Sequence, residues 1–204
     1  MKPKDNLMKY FHEYSFTFII CVLLLLSTSY KPDNGIIIDK KEAYNAFVYL
    51  NDIRTNPDKY RLELKLSKSL KICRTKLKWN DTLAKVAEAR AYDMAKRNYF
   101  AHVDPDGYGV NHYISKAGYK LEPDWTKDKA DNSFESIQAG LDDGVSAIKN
   151  LIANDKDSNY GHRNHLLGTD EWDKSLVDIG IGFVRDSLSE YGTYVSIIIA
   201  KHQW

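Results

Sequence analysis

Residues 177–201 read Val177-Asp-Ile-Gly-Ile-Gly-Phe-Val-Arg-Asp-Ser-Leu-Ser-Glu-Tyr-Gly-Thr193-Tyr-Val-Ser-Ile-Ile-Ile-Ala-Lys201. Two runs rich in β-branched and aromatic residues, around 177–184 and 193–201, flank a polar connection at 187–192. That pattern predicts two strands joined by a loop. Upstream, Asp142 or Asp143 caps a helix that turns Val145, Ile148, Leu151 and Ile152 inward. Phe134 to Ala139 reads as a strand ended by Gly140, and Val110 to Ala117 as a short helix stopped by Gly118. The clearest helix starts at Asn80 or Asp81 and carries Leu83, Val86, Ala87, Ala91, Met94 and Ala95 along one stripe. An earlier one places Ala43, Ala46, Phe47, Leu50 and Ile53 on one face and stops at Asn56-Pro57. Residues 60–78 are basic and weakly patterned. Helices and strands are interleaved, and no Gly-rich nucleotide loop follows a strand. The fold class is α+β, or a three-layer α-β-α sandwich.

The first thirty residues read differently. Lys2, Lys4 and Lys9 precede the uncharged run Phe16 to Leu26, and Ser27-Thr28-Ser29 follows. A basic start, an apolar stretch of about 11 residues and a small-residue exit describe a secretory signal. The run is short for a membrane span, which takes about 20 apolar residues. Residues 1–29 are therefore expected to be a signal peptide or a retained N-terminal anchor, residues 30–41 a linker, and 42–204 one domain. Membrane contact is expected only through the N-terminal segment.

Over the whole chain, 204 residues carry 29 basic and 28 acidic side chains. Loss of the leader with its three Lys, Asp5 and Glu13 brings the net charge of +1 to zero. Such balance gives no basic footprint for nucleic acid. The leader also takes Cys21, leaving Cys73 without an intramolecular disulfide partner. An exported domain with no disulfide points to a bacterial source, since oxidising compartments usually favour such bonds.

Among the ionisable residues, His102, His112, His162 and His165 fall in or beside loops. His162 and His165 are three apart, so a helix would put them on nearly one face. A pair of His plus a carboxylate is a common divalent-metal set. Glu135 is unusual, a carboxylate inside an apolar strand, and its burial would require a partner. No His-Glu-x-x-His and no Gly-x-Ser-x-Gly occurs, and Cys73 has no His near it in sequence. Nucleophilic catalysis of the familiar kinds has no support.

Several segments, in order, resemble the CAP superfamily of cysteine-rich secretory, antigen 5 and pathogenesis-related proteins (SCP domain), and more closely its bacterial, cysteine-poor branch. They are Leu50-Asn-Asp-Ile-Arg54, Leu77-Lys-Trp-Asn80, Ala91-Tyr-Asp-Met-Ala95, Phe100-Ala-His-Val-Asp-Pro-Asp-Gly107, Phe134-Glu-Ser-Ile137, Gly161-His-Arg-Asn-His-Leu-Leu167 and Asp178-Ile-Gly-Ile-Gly182. The resemblance runs from about Ala43 onward. It implies an α-β-α sandwich around a mainly antiparallel sheet, with a cleft where two His and two acids gather. By position these are His102, His162 and Glu135; the second acid falls near Asn154, where Asp155 or Asp157 stands instead. Phe134-Glu-Ser-Ile137 keeps the acid of the family's Gly-Glu-Asn-Ile but changes its neighbours.

The same resemblance implies a secreted or envelope-attached protein whose cleft, with His102, Glu135 and His162, takes a divalent metal such as zinc. Its partner would be a small ligand, a peptide or a cell-envelope component. The alternative is a metal-assisted, peptidase-like hydrolase with those three residues as catalytic candidates. A purely structural polar cluster is the third reading. Arg163 is expected to anchor its helix, and His165 to lie outside the tetrad.

Overall fold

The computed structural model describes residues 35–154 and 159–202. The expected leader and the acids Asp155 and Asp157 lie outside the described residues. The strands are β1 (Ile36–Ile38), β2 (Lys78–Trp79), β3 (Glu135–Ala139), β4 (Asp178–Asp186) and β5 (Thr193–Ala200). They form one sheet in the order β1-β4-β5-β3, antiparallel throughout, with β2 added parallel to β4. The helices are α1 (Lys40–Thr55), α2 (Pro57–Tyr60), α3 (Asp81–Arg97), α4 (Val110–Lys116), α5 (Gly144–Ala153), α6 (Gly161–Leu167) and α7 (Glu171–Ser175). The fold is the expected α-β-α arrangement.

Local chemistry explains the element boundaries. Asn80 caps α3 by accepting from the amides of Thr82 and Leu83 at 3.0 and 3.1 Å, and Asp143 caps α5 through the Ser146 amide at 2.8 Å. At the other end of α3, Asn98 adopts left-handed geometry, φ 53°, as a terminating residue often does. Asp39 caps α1 through the Glu42 amide at 3.1 Å, so the helix begins at Lys40. The expected linker is correspondingly shorter than 30–41: Ile36–Ile38 is paired to β4, and Lys40 and Lys41 are helical.

Pleat alternation then sorts the strands between layers. Gly180 and Gly182 of β4 lie directly under α3. A β-carbon on Gly180 would stand 2.1 Å from the Ala84 nitrogen, and one on Gly182 would stand 2.4 Å from the Ala87 carbonyl carbon. Ile179, Ile181 and Phe183 point the opposite way into the core with Leu50, Ile53, Ile148 and Ile152 of α1 and α5. Among the described residues no helix is long and apolar enough to cross a membrane.

The glycine contact is with helix backbone, which cannot swing aside as a side chain would. Gly180→Ala should therefore destabilise the domain by about 3 kcal/mol, the upper end of ordinary overpacking costs, read as a lower urea midpoint. An unchanged midpoint would mean that α3 does not sit this close to β4.

Candidate functional site

The site grows out of a buried arginine on α3. Arg90 falls on the same stripe as Val86, Ala87, Ala91 and Met94 and is 2% exposed. Its Nε donates to Glu135 Oε1 at 3.4 Å, and Nη1 to the Tyr99 hydroxyl at 2.9 Å. Nη2 donates to the carbonyls of Ala101 and His102 at 3.2 and 3.0 Å. One guanidinium thus ties α3 to strand β3 and to the loop that carries His102. Burial disfavours its charge, but Glu135 and Tyr99 more than offset this and hold its pKa above the ordinary arginine value.

Downstream, the Asp104-Pro-Asp-Gly107 turn fixes the same loop. Asp104 accepts from the amides of Asp106 and Tyr108 at 2.8 and 3.0 Å and from the Tyr113 hydroxyl. These contacts hold its carboxyl below the usual range despite burial.

Glu135 is buried, and its carboxylate is partnered on both oxygens. Besides Arg90, its Oε1 accepts from Ser196 Oγ at 2.8 Å, and its Oε2 lies 3.1 Å from His102 Nδ1. A carboxylate only accepts, so Nδ1 carries the proton and the opposite ring nitrogen, Nε2, remains for a ligand. His162, in the first turn of α6, faces His102 with ring centroids 6.2 Å apart and planes inclined by 30°. Arg163 anchors that helix as expected, donating from Nε to the Ile152 carbonyl at 2.7 Å while its guanidinium lies over the Tyr160 ring.

His102, Glu135 and His162 therefore line one cleft of about 380 Å³. His165 and Ser136 form its floor, on the other face of β3 from Glu135. Ser136 Oγ is 2.8 Å from His165 Nδ1, and His165 Nε2 is 3.4 Å from the Ile199 carbonyl. A carbonyl accepts only, so Nε2 holds the proton and the serine hydroxyl donates to Nδ1. Burial pushes this imidazole down to about 4 against the weak support of Ile199, helped by the neighbouring His162 and His102. His165 is thus neutral, with both ring nitrogens engaged within the protein.

Asp173 of α7 also lines the cleft. Burial, with the charge of Asp170 and a hydrogen bond to it, pushes its carboxyl up to about 7, and Arg54 opposes the shift only partly. Asn154 instead bonds to Asn150 at 3.0 Å and lines a neighbouring cavity with His162. A larger hollow of about 800 Å³ along α1, walled by Tyr44, Phe47 and Asn51, contains no imidazole. Among the described residues, no three His, Cys, Asp or Glu side chains stand together as a metal cage.

Arg90 and Asp173 escaped the sequence reading for different reasons. Arg90 interrupts an apolar stripe at helical spacing, a visible anomaly. Asp173 sits one turn after Asp170 in a polar stretch, and only tertiary contact buries it.

Comparison with known proteins adds family and fold. The CAP model, described as the cysteine-rich secretory protein family, matches residues 48–198. No curated protein matches the sequence. An extracellular protein containing a SCP domain from Bacillus anthracis str. Ames shares 24% identity at a TM-score of 0.50, covering 80% of this chain and 41% of its own. An outer surface protein from Borrelia burgdorferi shares 18% identity at a TM-score of 0.53, covering 83% of this chain and 99% of its own. At these identities the shared property is the fold, and this chain spans less than half of the first protein.

Protonation of His165 should be visible in stability. Its pKa falls from the ordinary 6.5 to about 4 in the folded state, so between those values the unfolded chain binds the extra proton. Stability is then complete above pH 6.5 and declines as pH falls toward 4. Asp173 acts oppositely, losing stability as pH rises from 3.8 to about 7. Comparison with His165→Gln isolates the histidine. The stability advantage of the wild type at pH 7.5 should shrink by about 2 kcal/mol at pH 4.5, from the cost per pKa unit. A pH-independent gap in urea unfolding would show that His165 is not buried neutral.

Proposed function

Since the chain belongs to the cysteine-rich secretory protein (CAP) family over residues 48–198, we propose that it is an exported binding protein, secreted or envelope-attached. Its His102/His162 cleft would take a divalent metal such as zinc together with a small ligand, a peptide or a cell-envelope component. Export is supported by the extracellular and outer-surface descriptions of its two bacterial structural relatives and by the leader-like residues 1–29.

The observation that carries the reading is the brace behind His102. Arg90 and Ser196 fix Glu135, Glu135 fixes Nδ1 of His102, and Nε2 is left for a ligand in the cleft that His162 also lines. A carboxylate behind an imidazole is the usual outer support of a metal-binding histidine. The donor set fits an open, two-imidazole site, with His102 and His162 as holders. Glu135 supports from behind, since both of its oxygens are engaged within the protein. The family position of the fourth group, Asp155 or Asp157, remains part of the proposal.

Zinc titration of the melting temperature tests this reading. Saturation at ~100-fold over Kd contributes about 2.7 kcal/mol, or a rise of ~5 °C or more for a domain of this size. His102→Ala should abolish the rise. No rise at millimolar zinc removes the metal from the proposal, and a rise that persists in His102→Ala puts the ion elsewhere.

Asp173 favours a second reading, a metal-assisted, peptidase-like hydrolase. A bound divalent ion would supply a Lewis acid and a more acidic water. Asp173, held near neutrality in its pKa, is suited to hold and release a proton at the cleft wall. His102 and His162 orient what binds between them, while Glu135 keeps the first of these rings in register. Turnover of a peptide or ester library by the purified protein should fall at least tenfold in Asp173→Asn. Absence of turnover in the wild type would leave binding as the function.

A further inference from the structure

Behind the cleft, where α1 meets the carbonyl end of α6, Arg54 is completely buried. Its Nη1 makes one long hydrogen bond, 3.4 Å, to the Leu166 carbonyl, whereas Nε and Nη2 have no hydrogen-bond partner. A guanidinium with idle donors in the interior is costly unless an anion stands beside it. Two ionisable groups act on it electrostatically, Cys73 and Asp173.

Geometry favours the cysteine. Cys73 is 7% exposed, and its amide donates to the Leu167 carbonyl at 3.0 Å. Its side chain and that of Arg54 converge on Gly168. A β-carbon there would stand 2.8 Å from Cys73 Cβ and 3.3 Å from Arg54 Nη2. Gly168 holds φ 62° at the end of α6, so the absent side chain leaves this space to the thiol and the guanidinium. Asp173 is a poor counter-ion at neutral pH, because burial and Asp170 keep its proton on up to about 7. Burial also works against ionisation of Cys73. Hydrogen bonds from the backbone and side chain of Thr75, together with the Arg54 charge, overcome it and bring the thiol below its ordinary value.

We propose that Cys73, set beside the Arg54 guanidinium, is a modification site for small hydroperoxides. The sulfur attacks the near oxygen of the peroxide and the O–O bond breaks. Sulfur gains oxygen and is oxidised by two electrons, and the far oxygen leaves as hydroxide and becomes water on protonation. With hydrogen peroxide the balance is thiolate plus peroxide to sulfenic acid plus hydroxide. The idle Nε–H and Nη2–H of Arg54 are the donors for the sulfenate oxygen. Cys73 is the only cysteine among the described residues, so no described neighbour converts the product to a disulfide.

The test is carried out on the full chain. Native protein is alkylated with iodoacetamide across pH 5–10, and separately pulsed with hydrogen peroxide in the presence of dimedone, with peptide mass mapping to separate Cys73 from Cys21. Alkylation of Cys73 should titrate below the ordinary thiol value of about 8.5, and Arg54→Gln should move the profile upward. At pH 7 the native protein should form the dimedone adduct at Cys73 several-fold faster than the same protein in urea. Should Arg54→Gln not fold, the wild-type profile and the native-to-urea ratio still decide. Titration at or above about 8.5, or slower adduct formation in the native state, overturns the proposal.

Discussion

Helix α3 rests on the bare backbone of β4, and the site depends on that contact. The stripe that touches Gly180 and Gly182 also carries Arg90, so the distance between helix and sheet sets how far the guanidinium can reach. At this separation it bridges Glu135, Tyr99 and the carbonyls of the His102 loop at once. Replacing either glycine with a larger residue would lift the helix and loosen both walls of the cleft. Packing in the core and orientation of an imidazole at the surface are in this sense one constraint.

The edge position of β3 explains why the cleft draws on both layers. Consecutive residues of a strand face opposite sides. Glu135 therefore joins the α3 layer through Arg90, while Ser136 joins the α6 layer through His165. His102 approaches over the first layer and His162 over the second, and they meet around the strand's free margin. A central strand could not do this, because its neighbours would separate the two faces. The neutral His165 beneath them adds no charge to a space where two other imidazoles already stand.

Much of this was legible from patterning. The caps at Asn80 and Asp143, the stop at Asn56-Pro57 and the two closing strands follow from local rules that tertiary structure did not override. Among the residues that line the cleft, His102, Glu135 and His162 were legible through their setting: an acid among apolar residues, and His beside turn and glycine signals in an ordered set of motifs. What was hidden depends on contacts remote in sequence. The 36–41 stretch looked like a linker because Ile36–Ile38 is a strand only by virtue of β4, whose side of the ladder lies far along the chain. Asp173 has no local mark because its environment is made by the cleft. His162 and His165 share a helical face and one cleft, but the ring of His165 is engaged by Ser136 and the Ile199 carbonyl.

The sheet order has a temporal meaning as well. β5, residues 193–200, is the last of the described strands in chain order, yet it stands between β4 and β3 and is buried along its whole length. A chain emerging from a ribosome, or threading through a narrow pore from its N-terminal side, has β3 and β4 in hand with no strand to join them. Glu135 then lacks Ser196, and the apolar faces of α1, α3 and α5 have only part of a surface to cover. The sheet closes only when β5 has paired with both β3 and β4. Until then the strand order alone leaves the sheet open.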